Sequence, residues 1–230
     1  MVIVVLSCDK NEDLWQPFHI LIEKYYPNHP EIIYATETLK NPYYKTICKN
    51  YPLELWTKRI RETLNEINDN IILTMMDDDF IREPVDWKRI EYLKRQIKGN
   101  MGAIYFEKSF DKHDMETNIK GIKQRQHGSD YEVCINCGIW QKDKLLRIIE
   151  RDSDPWDVEL NQDNKGYDFY INSGEYIIDW GYRTYVYANI CRGKWCREIV
   201  PFFEKEGIGI SNRKRGGAVV ARQAHNLQVG

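Results

Sequence analysis

Asp77, Asp78 and Asp79 stand side by side directly after the apolar run Ile71–Met76. Three ionised carboxylates this close repel one another unless a cation sits among them. The run before them reads as a buried strand, and charge is expensive to bury, so the carboxylates belong at the strand's open end. Hard oxygen ligands at such an end suit Mg²⁺ or Mn²⁺, ions that commonly hold a nucleotide's phosphates. The competing reading is a solvated acidic turn. A second polar cluster, Ser7-Cys8-Asp9, closes another apolar run, Val2–Leu6.

The elements that would position these groups follow from hydrophobic spacing. Val2–Leu6 reads as the first strand, and Asn11–Tyr26 carries Leu14, Trp15, Phe18, Leu21, Ile22 and Tyr25 at helical intervals. Asn28-His29-Pro30 breaks that helix. Glu31–Ala35 reads as a second strand, 41–44 as a loop, Leu53–Ile67 as a helix and Ile71–Met76 as the next strand. Strand–helix–strand–helix–strand order argues for a mainly parallel sheet covered on both faces. Such sheets bind ligands at the carboxyl ends of their strands, where both polar clusters would lie. Further on, Asp86–Ile97 and Lys142–Arg151 read as helices. Ala103–Phe106, Val133–Trp140, Tyr167–Tyr170, Tyr176–Asp179 and Tyr182–Ile190 read as strands. The polar stretch Asp111–Gln126 reads as a loop or lid.

Composition narrows the function classes. The 230 residues are 42% hydrophobic and 13% aromatic, enough for a packed α/β domain rather than a disordered chain. With 33 basic and 35 acidic residues, a net charge of −2 gives no electrostatic case for nucleic-acid binding. No apolar run approaches the ~20 residues that span a bilayer. Val5-Leu6-Ser7-Cys8 loosely mimics a lipoprotein cleavage site, but no basic segment precedes it. The expectation is a cytoplasmic chain with at most peripheral contact at a membrane's inner face. Cysteines in such a chain stay reduced. Cys134, Cys137, Cys191 and Cys196 admit a four-thiolate zinc reading, weakened by the four-residue gap in the second pair.

From about Ile208 the periodicity lapses, and residues 211–230 read as a loose tail with a basic run, Asn212–Arg215. Its last stretch, Ala218–Gly230, resembles the conceptual translation of part of a transfer-RNA gene, which would place the gene at an integration site such as that of a prophage.

Four ordered segments between Val2 and Leu160 carry a family resemblance. They are Leu6–Asp9; Trp56-Thr57-Lys58-Arg59-Ile60; Met76–Ile81 with Pro84-Val85-Asp86; and Gly138–Leu146 with Asp154-Pro155-Trp156-Asp157-Val158-Glu159. In this order the chain resembles a small bacterial or phage-type glycosyltransferase of the GT-A fold, of the kind found in capsule and surface-glycan loci.

The resemblance implies a GT-A-like α/β domain over residues 1–210. Its nucleotide-sugar half would be 1–107 and its acceptor half 108–210. It implies transfer from a nucleotide sugar, UDP-linked by expectation, to a glycan or lipid-linked acceptor, with Mn²⁺ or Mg²⁺. Asp77 and Asp79 match the family's Asp-x-Asp motif. Asp79 would touch the metal, Asp77 would lie nearer the ribose and metal water, and Asp78 would lie nearby or point back into the protein. Ser7 and Asp9 match the nucleotide-binding position, although Asp9 could equally cap the following helix. Arg59 matches a basic residue facing the nucleotide, or else lies on a solvated helix face. An inverting transfer needs a general base, for which Glu159 and Asp157 are the candidates. Trp156 would form a sugar platform. Trp140 would line the acceptor site or pack in the core. His127 is the best guess at a further metal ligand. Two rivals stay open: a sugar-phosphate nucleotidyltransferase, disfavoured because Ser7–Asp13 has no glycine, and a non-catalytic glycan- or zinc-binding module.

Overall fold

The computed structural model describes residues 1–109, 111–161, 163–181, 189–191, 193–210 and 215. The fold is mixed α/β, a large sheet flanked by helices, as the run order predicts. The strands are β1 (Val2–Leu6), β2 (Ile32–Thr36), β3 (Lys45–Cys48), β4 (Ile71–Met76), β5 (Met101–Lys108), β6 (Met115–Glu116), β7 (Ile122–Gln124), β8 (Gly138–Gln141) and β9 (Asp168–Asn172). They form one sheet in the order β3-β2-β1-β4-β8-β5-β9-β7-β6. Strands β1 to β4 are mutually parallel, β8 runs against both its neighbours, and β5 pairs β9 in parallel.

The chain clusters into two compact units. The larger comprises Met1–Glu12, Asn28–Met76 and Asp86–Ile177. It holds this sheet with helices α2 (Trp56–Asn65), α3 (Trp87–Gln96), α4 (Lys142–Ile148) and α5 (Pro155–Asn161). Its core cluster joins Val2, Val4 and Leu6 of β1 to Trp56, Ile60 and Leu64 of α2 and to Leu145 and Ile148 of α4. The alternate residues Ile3 and Val5 are fully buried too. A strand buried on both faces must be a continuous apolar run, and Val2–Leu6 is one.

The smaller unit comprises Asp13–Pro27, Asp77–Val85 and Ile178–Gly230. It contains α1 (Trp15–Tyr25), a two-strand ribbon, β10 (Ile190–Cys191) with β11 (Lys194–Trp195), and α6 (Val200–Glu206). Phe80, Trp195 and Phe203 form its aromatic core, with ring centroids 5.1 to 6.1 Å apart. Glu206 ties α6 to α1 through Lys24 and Tyr25, at 2.5 and 2.8 Å.

Several expected elements take other forms. Residues 111–126 contain the β6–β7 hairpin, which lengthens the sheet through β9 instead of standing free as a lid. Val133–Ile135 is buried but is not strand. The Cys134 amide donates to the Tyr105 hydroxyl and the Ile135 amide to Glu159, so side chains take the place of a strand partner. Tyr176–Asp179 is irregular: Ile177 and Asp179 offer their carbonyls to the Asp86 and Arg82 amides. Of the expected strand 182–190, residues 182–188 lie outside the described residues, and Ile190 begins β10. The tail beyond 210 also lies outside them, except Arg215.

Arg215 corrects the expectation of a solvated basic run. It is 6% exposed and grips Asp13 with two bonds of 2.6 and 2.7 Å, its guanidinium 5.8 Å from the Trp195 ring centre. Removing one partner of a buried ion pair costs about 3–5 kcal/mol. Arg215→Ala, or truncation after Ile210, should therefore lower the thermal midpoint by many degrees. Unchanged melting of either variant would show that this contact does not hold the unit together.

Candidate functional site

The strand order contains a topological switch point. From β1 the chain moves outward through β2 to β3, then returns to lay β4 on the other side of β1. The order therefore reverses between β1 and β4. The carboxyl ends beside such a switch point are where open α/β sheets bind ligands. Leu6 is in register with Met76, so the two strands end level. The residues that continue them are Ser7-Cys8-Asp9 and Asp77-Asp78-Asp79.

On the β1 side, a network holds the loop after each strand. Asp9 accepts from the Thr38 amide at 3.1 Å, the Thr38 hydroxyl at 2.5 Å and the Leu39 amide at 3.0 Å. Burial opposes its charge, but these bonds and the Arg59 charge outweigh it and hold the Asp9 carboxyl below its usual range. Asp9 thus caps the turn after β2 and not the helix that follows it. The Asp9 amide donates to Glu37 at 2.5 Å, and Glu37 in turn pairs with Arg59. Arg59 is 3% exposed, which overturns the solvated-face reading. Ser7 is buried, its amide donating to the Ala35 carbonyl at 3.1 Å.

Glu37 was not among the expected residues. Its sequence signal, Thr36-Glu37-Thr38 at the end of a strand, was there to read. Arg59→Ala should destabilise the chain by about 3–5 kcal/mol by stranding Glu37, and adding Glu37→Ala should recover much of that loss. A urea-unfolding double-mutant cycle checks this, and strict additivity would refute it.

On the β4 side, the smaller unit's core sets the acidic segment. Phe80 and Ile81 are buried there. The Asp78 carbonyl accepts from the Phe80 amide at 2.9 Å and from Asn189 at 2.7 Å. Asn189 also accepts from Arg82 at 2.8 Å. Asp77 and Asp79 are 1% and 8% exposed, so the solvated-turn reading fails. Burial pushes the Asp78 carboxyl up. Mg²⁺ is typically bound by one or two carboxylates, with substrate phosphates and waters completing its shell. Asp77 and Asp79 supply that minimal set by donor type. Among the described residues no group of three or more His, Cys, Asp or Glu is arranged to hold a metal.

Burial drives the Cys134 thiol well above its usual range and Cys196 up to about 12. His127 braces a loop: one ring nitrogen lies 2.8 Å from Glu132, the other 3.3 Å from Asp168.

The remaining candidates lie around α5. Thr57 of α2 locks the segment before that helix, bonding the Arg151 carbonyl at 2.8 Å and the Ser153 amide at 2.8 Å. Asp154 then caps α5 by accepting from the Asp157 amide at 2.8 Å. Asp157 is held by Arg151 at 2.6 Å and Asn161 at 3.0 Å. Glu159 instead lines an open cavity of about 300 Å³. Burial, with Glu107 adding to it, pushes the Glu159 carboxyl up against the opposing bonds from Ile135 and Cys134. Trp156 on the same helix is 60% exposed, with its ring available to a ligand. Trp140 is fully buried against Tyr105 and Phe169, so it is a core side chain with no face for an acceptor.

No family model matches the chain, and no curated protein matches it. Solved structures match the chain at low similarity. A cytidylyltransferase from Leptospira borgpetersenii has TM-score 0.48 and 8% identity over 96% of this chain and 99% of its own. The galactosyltransferase LgtC with donor and acceptor sugar analogues has TM-score 0.45 and 12% identity over 97% and 85%. The bifunctional IspDF of Campylobacter jejuni has TM-score 0.39 and 12% identity, and the chain spans only half of its length. These values assign neither family nor activity.

Proposed function

We propose that the chain is a glycosyltransferase that uses a nucleotide sugar, UDP-linked by expectation, and passes the sugar to a glycan or lipid-linked acceptor. The observation that carries this reading is the switch point between β1 and β4, whose level carboxyl ends continue into Ser7–Asp9 and Asp77–Asp79. Donor binding there fits the general rule for such sheets.

In this reading Asp77 and Asp79 would hold Mn²⁺ or Mg²⁺, which would supply Lewis-acid compensation for the charge of the departing nucleoside diphosphate. Arg59 and Glu37 act as positioning residues that keep Ser7–Asp9 in place. Glu159 takes the proton from the acceptor hydroxyl as that oxygen attacks the anomeric carbon, giving inversion. It is preferred to Asp157 because it lines a cavity while Asp157 is tied to Arg151 and Asn161. Its raised pKa also makes it a stronger base than an ordinary carboxylate. Trp156 offers a sugar platform.

The deciding experiment supplies either a nucleotide-sugar panel with glycan acceptors or nucleoside triphosphates with sugar phosphates, and identifies the product. Nucleoside diphosphate release with a lengthened glycan supports the proposal. Pyrophosphate release would make the chain a nucleotidyltransferase. Turnover of neither set would favour a binding module.

A further inference from the structure

The cavity beside Glu159 carries a statement about what it admits. It lies wholly within the larger unit and measures about 300 Å³, the small end of the range for small-molecule sites. Such sites are mostly apolar-walled, but this one is not. Its lining residues include Ser129, Asn164, Asp130, Glu132, Asp163 and Glu159, and no Lys or Arg lines it among the described residues. Lys165 and Arg125 adjoin it only indirectly. Lys165 reaches Asp163 at 3.9 Å while binding Glu150 at 2.8 Å, and Arg125 donates to the Asp130 backbone carbonyl at 2.9 Å.

Hydroxyl, amide and carboxylate groups with an aromatic ring suit a polyhydroxylated ring, whose O–H groups donate and whose C–H face packs on an aromatic. Tyr131 supplies that ring. It is 45% exposed and stands in the left-handed region at φ 55°. Non-glycine residues in that region are uncommon and cluster at binding sites.

The wall is also held in place. Glu132 is 6% exposed and accepts from the Gly128 amide at 2.8 Å and from Asn164 at 3.0 Å. With the His127 contact, these bonds lock the two loops that frame the opening. Asp130 and Asp163 bring uncompensated or weakly compensated negative charge to it. A ligand with its own carboxylate or phosphate would meet like charge, with the nearby Lys165 already engaged by Glu150.

We infer that this cavity is a saccharide subsite that accepts neutral and amino sugars and rejects anionic ones. It rests on the transferase reading only for its role as the acceptor site; as a binding site it stands alone.

The test is ligand-observed NMR on the full chain without nucleotide, using one pyranose in three charge states: glucose, glucosamine and glucuronate. Glucosamine and glucose should bind, glucuronate at least tenfold more weakly. Asp130→Asn with Asp163→Asn should erase most of that discrimination by restoring glucuronate, since both changes keep shape and remove charge. Tyr131→Ala should weaken binding of glucose and glucosamine about tenfold, with the melting temperature confirming that each variant is folded. Equal or tighter glucuronate binding, discrimination unaltered in the double Asn variant, or no binding of any of the three would overturn the inference. A parallel titration with UDP-sugar separates the two claims. Donor binding without the saccharide order defeats only the subsite, and the saccharide order without donor binding defeats only the transferase.

Discussion

Asp79→Asn should lower sugar transfer about a thousandfold while the chain stays folded. A divalent cation supplies several kcal/mol of transition-state charge stabilisation, and each ~1.4 kcal/mol is tenfold in rate. Losing about 4 kcal/mol of that support gives the thousandfold figure. Asn is nearly isosteric with Asp, and Phe80 packs with Trp195 and Phe203 in the core beside it. The fold should therefore survive. The loss should appear in turnover and in the metal concentration needed, with partial recovery at high Mn²⁺. A rate within threefold of the parent at every metal concentration would remove Asp79 from the metal site.

Glu159→Gln should cost between a hundredfold and ten-thousandfold in turnover, the usual worth of a positioned base, while Asp157→Asn costs far less. The pH profile separates base from structural support. Burial raises the Glu159 pKa, so the ionised, competent form accumulates only above the ordinary carboxylate range. Turnover should rise with pH through that raised value, and Glu159→Gln should abolish the rise along with the rate.

Stability runs in the opposite sense. The folded chain holds this proton more tightly than the unfolded chain. The contribution is complete below the unfolded pKa and is lost as pH climbs through the folded one. Urea unfolding across that window should show the decline in the parent and a flatter curve in Glu159→Gln. An unchanged pH–rate profile in the variant would assign the proton transfer elsewhere.

What the sequence revealed depended on local repetition. Val2–Leu6 and Ile71–Met76 appear as strands at their expected limits because uninterrupted apolar runs admit few alternatives. The face of α2 likewise follows from Trp56, Ile60 and Leu64 recurring at helical intervals. Strand β3 escaped notice because only Ile47 among its four residues is buried. The β6–β7 hairpin did so because an edge ribbon with Ile122 as its single buried side chain carries almost no alternation.

Apolarity also misled. Val133–Ile135 is as buried as a strand, yet its amides are claimed by Tyr105 and Glu159, residues 29 and 24 positions away in the chain.

At the candidate site, residue types were legible and partners were not. Asp9, Arg59 and the acidic triplet stood out by position. That Asp9 serves Thr38 and Leu39, and that Arg59 is buried against Glu37, depends on contacts across 22 to 30 residues that no local pattern encodes. Trp140 and Trp156 look alike as aromatic candidates, and only packing tells the core side chain from the exposed one.

The central claim is metal-linked donor binding at the end of β4. Calorimetric titration of a UDP-sugar into the parent chain and Asp79→Asn, each with Mn²⁺ and with EDTA, tests it most directly. The account predicts binding by the parent in Mn²⁺ that is lost in EDTA and lost in Asp79→Asn. Binding of equal strength in all four titrations would contradict it.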